Sequence, residues 1–170
     1  KLVRNCIDTE VFKPGTKVPK TVGMITHRQN YNPELGNLLT GAGYRVVEIS
    51  GSEEEVASKM GTCDYFIQCS PGLWNDYEYT EGFPLPGAEA MASGAILLTY
   101  DSRGVLEYAF DRLNSIVFNN PKELLKRVNE IEEDLNEKET MRQLGIDTMV
   151  KKFNSSIITY EIKRGLGLDE

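Results

Sequence analysis

Residues 81–94 read Glu-Gly-Phe-Pro-Leu-Pro-Gly-Ala-Glu-Ala-Met-Ala-Ser-Gly and lead into the apolar run 95–100, Ala-Ile-Leu-Leu-Thr-Tyr. The glycines and prolines predict a turn, the small residues after it predict a short helix, and the apolar run predicts a buried strand. Glu81 precedes the turn, and Glu89 is placed in the first turn of the predicted helix. We therefore expect both carboxylates to face one crevice.

The predicted turn has the chemistry of a ligand site. A turn that opens a helix presents backbone N–H groups and the positive end of the helix dipole, which suit an anion. A carboxylate offers several acceptor positions to the hydroxyl groups of a sugar or a ribose. A pocket with amides at its centre and a carboxylate at each end is suited to a nucleotide sugar.

Outward from this stretch, strands and helices alternate with short links. This alternation predicts an α/β fold with a doubly wound, Rossmann-like parallel sheet, helices on both faces, a helical C-terminal tail and a ligand beyond the carboxyl ends of the strands. The apolar spacing places Leu135 and Val150 on inward faces of the tail helices. The predicted strands are 21–25, 44–49, 64–69, 95–100 and 115–118. The predicted helices are 33–40, one opened by Ser52, one opened by Asn120, 137–153 and 155–166.

Composition narrows the function classes. The 170 residues suffice for one domain, and a net charge of −7 argues against a nucleic-acid partner. No apolar run reaches the roughly 18–20 residues that span a bilayer, and no signal peptide opens the chain. Cys6, Cys63 and Cys69 lack metal-ligand spacing and are interpreted as free thiols of a cytoplasmic protein. We expect neither a metal nor another cofactor.

Residues Glu81–Pro86, Glu89 and Ala90–Gly94 resemble the donor-binding motif of the retaining GT-B glycosyltransferases of the group 1 family (family 4). That motif reads Glu-Gly-Phe-Gly-Leu-Pro, with a second Glu eight positions after the first, followed by Ala-Met-Ala-Cys-Gly and a strand. Residues 3–14 resemble the interdomain linker of the family. With further similarity at 51–56, 64–70 and 101–107, the resemblance covers nearly the whole chain.

The resemblance implies that this chain is one half of a GT-B enzyme. Residues 1–20 would be a remnant of the interdomain linker and residues 21–170 the donor-binding domain, with the N-terminal acceptor-binding domain absent. The whole enzyme would move a sugar from a nucleoside diphosphate sugar to an acceptor hydroxyl with retention, in glycan or glycoconjugate biosynthesis and without a metal. Any peripheral attachment to a membrane would come from the absent domain.

The resemblance also implies roles for individual residues. Glu89 would accept bonds from the ribose hydroxyls, although a carboxylate there also favours the helix dipole. Glu81 would be catalytic, holding the donor sugar or stabilising charge at its anomeric carbon. The turn would offer its amides, and Arg28 would meet the pyrophosphate. The implied donor-binding residues besides Glu89 are Gly82, Phe83, Pro84, Leu85, Arg28 and Ser70.

The sequence departs from the family pattern at three places, and the first two favour a second hypothesis. Met24 stands where the family has an arginine, and Pro84 replaces a glycine and removes one backbone donor. One βα unit between the first strand and Gly51 is also missing. The alternative is therefore a non-catalytic transferase domain that binds a nucleotide or a protein partner. A glycoside hydrolase, which also uses paired carboxylates, fits less well because the chain has one Trp and a doubly wound pattern.

Overall fold

The sheet has five parallel strands in the order β2-β1-β3-β4-β5, in a computed structural model that describes residues 5–26, 33–68, 82–101 and 103–168. The predicted doubly wound parallel sheet is confirmed. β1 begins at Val18, three residues before its predicted start and inside the range assigned to the linker. The strands are β1 Val18–Met24, β2 Arg45–Glu48, β3 Cys63–Gln68, β4 Ile96–Thr99 and β5 Ser115–Val117.

Within the described residues, six α-helices accompany the strands: α1 Pro33–Gly41, α2 Glu53–Thr62, α3 Leu85–Ala92, α4 Pro121–Glu133, α5 Leu135–Thr148 and α6 Ser155–Leu166. A 3₁₀ turn spans Gly104–Glu107, and a π-helical turn spans Met149–Phe153. The predicted caps are present. The Ser52 hydroxyl accepts a bond from the Glu55 N–H at the start of α2, and the Asn120 side chain accepts from the Glu123 N–H at the start of α4.

The tail differs from the prediction at two residues. Leu135, expected inward, is 69% exposed, because Asp134 ends α4 and caps α5, so that Leu135 begins the next helix. Val150, also expected inward, is 42% exposed. The π-helical turn explains this second error, since its wider turn changes which residues face the core and buries Met149 and Phe153 instead.

Helices cover both faces of the sheet, and alternate strand residues supply the two cores. Phe66 of β3 and Leu97 of β4 face α2, α3 and the π-helical turn. Ile67 and Leu98 face the opposite way, towards α1 and α4. These buried faces fix the position of α3 against β3 and β4.

The segment before β1 packs against the domain. Ile7 and Phe12 are 2% and 4% exposed and belong to the core on the α2 and α3 side. The Ile7 N–H donates to the Phe153 carbonyl oxygen over 2.8 Å, and the Ser155 N–H donates to the Ile7 carbonyl oxygen over 3.1 Å. Residues 5–17 are therefore anchored beside the start of α6. That helix packs inward through Ile158, whereas residues 159–168 are exposed.

A buried ionic cluster lies at the amino edge of the sheet, where β3 begins. The Asp64 carboxylate accepts bonds from Lys138 Nζ over 2.7 Å and from Arg142 Nη2 over 2.6 Å. Burial alone would raise the pKa of Asp64, but the hydrogen bonds and charges of these cations outweigh it, so its pKa lies below the usual value. Lys138 also bonds the Glu132 carboxylate, which accepts from the Tyr65 hydroxyl over 2.5 Å. We call these five residues the amino-edge cluster.

Lys17 lies at the same edge and joins two helix ends. Its ammonium group donates to the Gly61 carbonyl oxygen in α2 over 2.9 Å and to the Ser93 carbonyl oxygen, at the C-cap of α3, over 2.6 Å. Burial, with the nearby Arg142 charge, lowers the pKa of Lys17 to about 8. A cation at a helix C-terminus is bonded to carbonyl groups that have no partner within the helix.

Candidate donor site at the carboxyl edge

The candidate site lies where the strand order reverses. β1 and β3 are adjacent, with Met24 opposite Ile67, yet the chain leaves β1 towards β2 on one side and leaves β3 towards β4 on the other. In open parallel sheets this reversal leaves a crevice beyond the carboxyl ends of the strands, where ligands bind. Because α3 connects β3 to β4 as a crossover helix, its N-terminus lies at this edge.

The start of α3 is open to a ligand. Pro84 is the N-cap and makes no side-chain capping bond, and Pro86 occupies the second helical position. The N-caps of α2, α4, α5 and α6 all accept a backbone N–H, so α3 is the exception among the α-helices whose caps lie within the described residues. Proline has no backbone N–H, so neither proline at this helix start can donate a hydrogen bond. The N–H groups that lack a partner within the helix are therefore those of Leu85 and Gly87.

The turn before α3 is held from the protein side. The Tyr108 hydroxyl donates to the Pro84 carbonyl oxygen over 2.7 Å, and Tyr108 is fully buried. The Phe83 ring lies 4.9 Å from the Tyr108 ring and 5.4 Å from the Phe153 ring, centroid to centroid. Phe83 is therefore partly core, which agrees with the expectation that its ring packs below the turn. Gly82 and Leu85 are exposed.

The sequence predicted Glu89 in the first turn of α3, but in the structure it lies in the second turn. The helix begins at Leu85, which makes Glu89 the fifth residue and puts it at the start of the second turn. The reason is that Pro86 is tolerated at the second helical position, so the helix starts before the second proline and not after it. Glu89 is partly buried, between the fully buried Ala88 and Ala90.

The structure brings together one part of the predicted site. Gly82, Phe83, Pro84, Leu85 and Glu89 lie at one end of α3. Three other predicted residues fall outside the described residues: Glu81, Arg28 and Ser70. Met24, which stands where the family has an arginine, is 1% exposed and belongs to the core that α1 and α4 cover.

Sequence reasoning missed Tyr108 as a residue of this site. It lies 24 positions after Pro84, and no local pattern connects the two. Gly87 carried the available signal: a Cβ built there would lie 2.7 Å from the Tyr108 hydroxyl oxygen, so only glycine fits beside it. A glycine in the first turn of a buried helix indicates such a close approach.

The described residues contain no group of three or more His, Cys, Asp or Glu side chains that could hold a metal ion. None of their helices combines the length and the apolar character needed to cross a membrane. Cys6 and Cys63 are free, and burial raises the pKa of the Cys63 thiol to about 11.

Several solved structures share this fold. The C-terminal domain of a glycosyl transferase group 1 family protein (LpcC) from Francisella tularensis shares 16% identity, with a TM-score of 0.63 over 88% of this chain and 99% of that one. Anabaena Alr3699/HepE, solved with UDP and glucose, shares 15% identity with a TM-score of 0.74, over 98% of this chain and 56% of that one.

Sucrose-phosphate synthase from Thermosynechococcus elongatus shares 14% identity, with a TM-score of 0.72 over 99% of this chain and 52% of that one. The chain thus spans about half of each of these two longer proteins. At such identities the likeness shows the shared fold, which is the Rossmann-like half of a GT-B protein. No curated protein sequence matches the chain significantly.

The family itself is shown by sequence. The family model described as glycosyl transferases group 1 matches residues 26–147. This range takes in most of the chain, including β3, the turn before α3, and α3 itself. The chain therefore belongs to the group 1 glycosyl transferase family.

Proposed function

We propose that this chain is the donor-binding half of a retaining glycosyltransferase. It binds a nucleoside diphosphate sugar, and the whole enzyme passes the sugar to an acceptor hydroxyl in glycan or glycoconjugate synthesis. The observation that carries the proposal is the start of α3: an N-terminus without a side-chain cap, at the carboxyl edge of a parallel sheet, in a member of this family. A nucleoside diphosphate supplies the negative charge that such a helix end favours.

The amides of Gly82, Phe83 and Leu85 would donate to oxygen atoms of the diphosphate and the sugar. Fixed donors of this kind stabilise the charge that collects on the departing diphosphate without having to reorganise during the reaction. Glu89 would accept bonds from the ribose hydroxyls. Their geometry supports this assignment, because all four residues lie on one turn and the helix it opens.

The roles of three further residues stay predictions from the family resemblance. Glu81 would hold the donor sugar or stabilise charge at its anomeric carbon, Arg28 would bond the diphosphate, and Ser70 would contact the donor. Arg28 follows β1 and Ser70 follows β3, the two strands that border the crevice. We further propose that no metal takes part and that the acceptor is bound by a second domain.

The test is calorimetric titration of this chain with UDP, GDP, ADP, TDP and the matching nucleosides, each with and without EDTA. We expect one or more diphosphates to bind, and to bind more tightly than the nucleoside, with no effect of EDTA. Arg28→Ala should weaken binding of the diphosphate and leave binding of the nucleoside unchanged, because the guanidinium group donates hydrogen bonds to phosphate oxygens. No binding of any diphosphate would refute the donor-site proposal.

A non-catalytic nucleotide-binding module is the second candidate. The burial of Met24 favours it, since the side chain that replaces the family's arginine adds no charge to the crevice. The two candidates differ in the protein that also carries an acceptor-binding domain. A transferase turns over a bound nucleoside diphosphate sugar there, whereas the module binds it and releases it unchanged.

A further inference from the structure

Tyr108 touches the candidate donor turn at two adjacent residues. Its hydroxyl donates to the Pro84 carbonyl oxygen over 2.7 Å, and its ring packs against the Phe83 ring at 4.9 Å. Tyr108 itself is fully buried and also packs edge-on against Phe153, with ring centroids 6.3 Å apart. One rigid side chain thus fixes both the backbone and the side chain of the turn.

The direction of the hydroxyl bond distinguishes it from an ordinary helix cap. A side-chain cap accepts the first free N–H groups of a helix, as Ser52 does at α2, and so uses the groups that a ligand would need. Tyr108 donates to a carbonyl group on the opposite side of the peptide chain. It holds the turn and leaves the amides of Leu85 and Gly87 available to a ligand.

The Tyr108 hydroxyl packs closely against Gly87. A Cβ at this position would lie 2.7 Å from the Tyr108 hydroxyl oxygen and 3.3 Å from Leu97 Cδ1. Tyr108 has little freedom to move away, because it is fully buried and its ring packs against both Phe83 and Phe153. An alanine at position 87 would therefore displace the hydroxyl from Pro84.

We propose that Tyr108 is a positioning residue of the donor site. By bonding the Pro84 carbonyl, it keeps the turn 82–85 in the one conformation whose amides face the diphosphate sugar. This inference rests on the proposed function. Affinity falls in proportion to the fraction of molecules whose site is correctly arranged, so loss of the anchor should appear in ligand binding.

The test is Tyr108→Phe, which keeps the ring and removes the hydroxyl. We expect the affinity for UDP, or for whichever diphosphate the unmodified chain binds best, to fall about fivefold, the equivalent of about 1 kcal/mol for one neutral hydrogen bond. Tyr65→Phe is the matched control, because it also removes a hydroxyl bond from a fully buried tyrosine, here to Glu132 at the amino edge. It should lower stability and leave affinity unchanged.

Gly87→Ala examines the same contact without changing the tyrosine. Alone it should weaken binding, and in the Tyr108→Phe background it should add little, because the displaced hydroxyl is already absent. It also keeps the proposal testable if Tyr108→Phe does not fold. Independent, additive losses from the two changes would overturn the proposal.

A second readout separates this inference from the proposed function. The backbone amide NMR signals of Leu85 and Gly87, recorded without ligand, should move in Tyr108→Phe and stay in place in Tyr65→Phe. If the unmodified chain bound no diphosphate, the proposed function would fail while these signals still reported on the anchor. Unmoved signals, or full diphosphate affinity in Tyr108→Phe, would show that the tyrosine is only a core residue.

Discussion

The two ends of α3 differ in how their free hydrogen-bonding groups are satisfied. At the amino edge of the sheet, its C-cap carbonyl on Ser93 accepts a bond from the half-buried Lys17, next to the amino-edge cluster. At the carboxyl edge, its N-terminus carries two prolines and no side-chain cap. The bonded end contributes to stability, and the open end keeps hydrogen-bonding capacity for a ligand. This comparison predicts that substitutions at the amino edge change stability and that those at the carboxyl edge change binding.

The largest effect is expected from Asp64→Ala. The change removes the buried carboxylate that is shared by Lys138 and Arg142, which are 8% and 7% exposed. It leaves Lys138 paired with Glu132 and Arg142 paired with Glu139, both of which are less buried than Asp64. Removing one partner of a buried ionic group costs about 3–5 kcal/mol. We expect the free energy of unfolding in urea to fall by that amount, with diphosphate affinity unchanged in whatever fraction stays folded.

Acid should reproduce the loss without a mutation. The folded pKa of Asp64 lies below its usual value of 3.8, so its contribution to stability is complete above that pH and is lost as the pH falls below it. The unfolding midpoint of the unmodified chain should therefore decrease more steeply below pH 3.8 than that of Asp64→Ala. Parallel curves would contradict the role given to the cluster.

A smaller effect, on binding, is expected from Glu89→Ala. A lost hydrogen bond to a charged group costs about 1.5–3 kcal/mol, which corresponds to a loss of about 10- to 150-fold in diphosphate affinity. The free energy of unfolding should change by about 1 kcal/mol or less. Glu133→Ala, on the exposed side of α4, is the control that removes a carboxylate far from the crevice in sequence. Equal affinities for all three proteins would exclude Glu89 as a ribose ligand.

The backbone amide itself is tested by Leu85→Pro. The first helical position has no partner for its N–H within the helix and tolerates proline, and Pro84 already has the extended conformation that a following proline requires (φ −72°, ψ 96°). We expect about a tenfold loss of diphosphate affinity and little change in stability. Leu85→Ala keeps the amide and should bind normally, so a loss in both variants would assign the effect to the side chain.

The smallest effect concerns the alkaline titration of Lys17. Its pKa is about 8 in the folded protein and 10.5 in the unfolded chain. Between these values the unfolded chain holds a proton that the folded protein has released, so the Lys17 contribution makes stability rise with pH. The unfolding midpoint of the unmodified chain should therefore rise relative to that of Lys17→Met as the pH increases across this range. A constant difference would mean that Lys17 titrates normally.

The features that sequence predicted well depend on neighbouring residues. The apolar run 95–100 is β4 with its flanking residues and is buried along its whole length. The caps at Ser52 and Asn120 were found because a capping residue and the N–H group that donates to it lie three positions apart. The turn before α3 was predicted as a unit for the same reason: Gly82, Phe83, Pro84 and Leu85 do lie at the start of α3, and Glu89 follows in the second turn.

What sequence did not predict depends on contacts across the fold. Tyr108 reaches Pro84, and Lys17 reaches Ser93 76 positions away, with no pattern in the chain that pairs them. The helix register failed at Val150 because a π-helical turn changes the spacing without any local sign such as proline. The predicted roles of Glu81, Arg28 and Ser70 lie outside the described residues and stay predictions.

The amino-edge cluster also has a consequence for the order in which the chain can fold. Asp64 belongs to the central part of the sheet, but its two cations, Lys138 and Arg142, lie 74 and 78 positions later in the chain. During synthesis, β3 is complete long before α5 has been made. Until α5 packs against the sheet, the Asp64 carboxylate must stay hydrated, because burying an unpaired carboxylate is costly. β3 can therefore be fully buried only after residue 142 has been synthesised. The sheet begins in the first third of the chain, and its burial is completed by the last third.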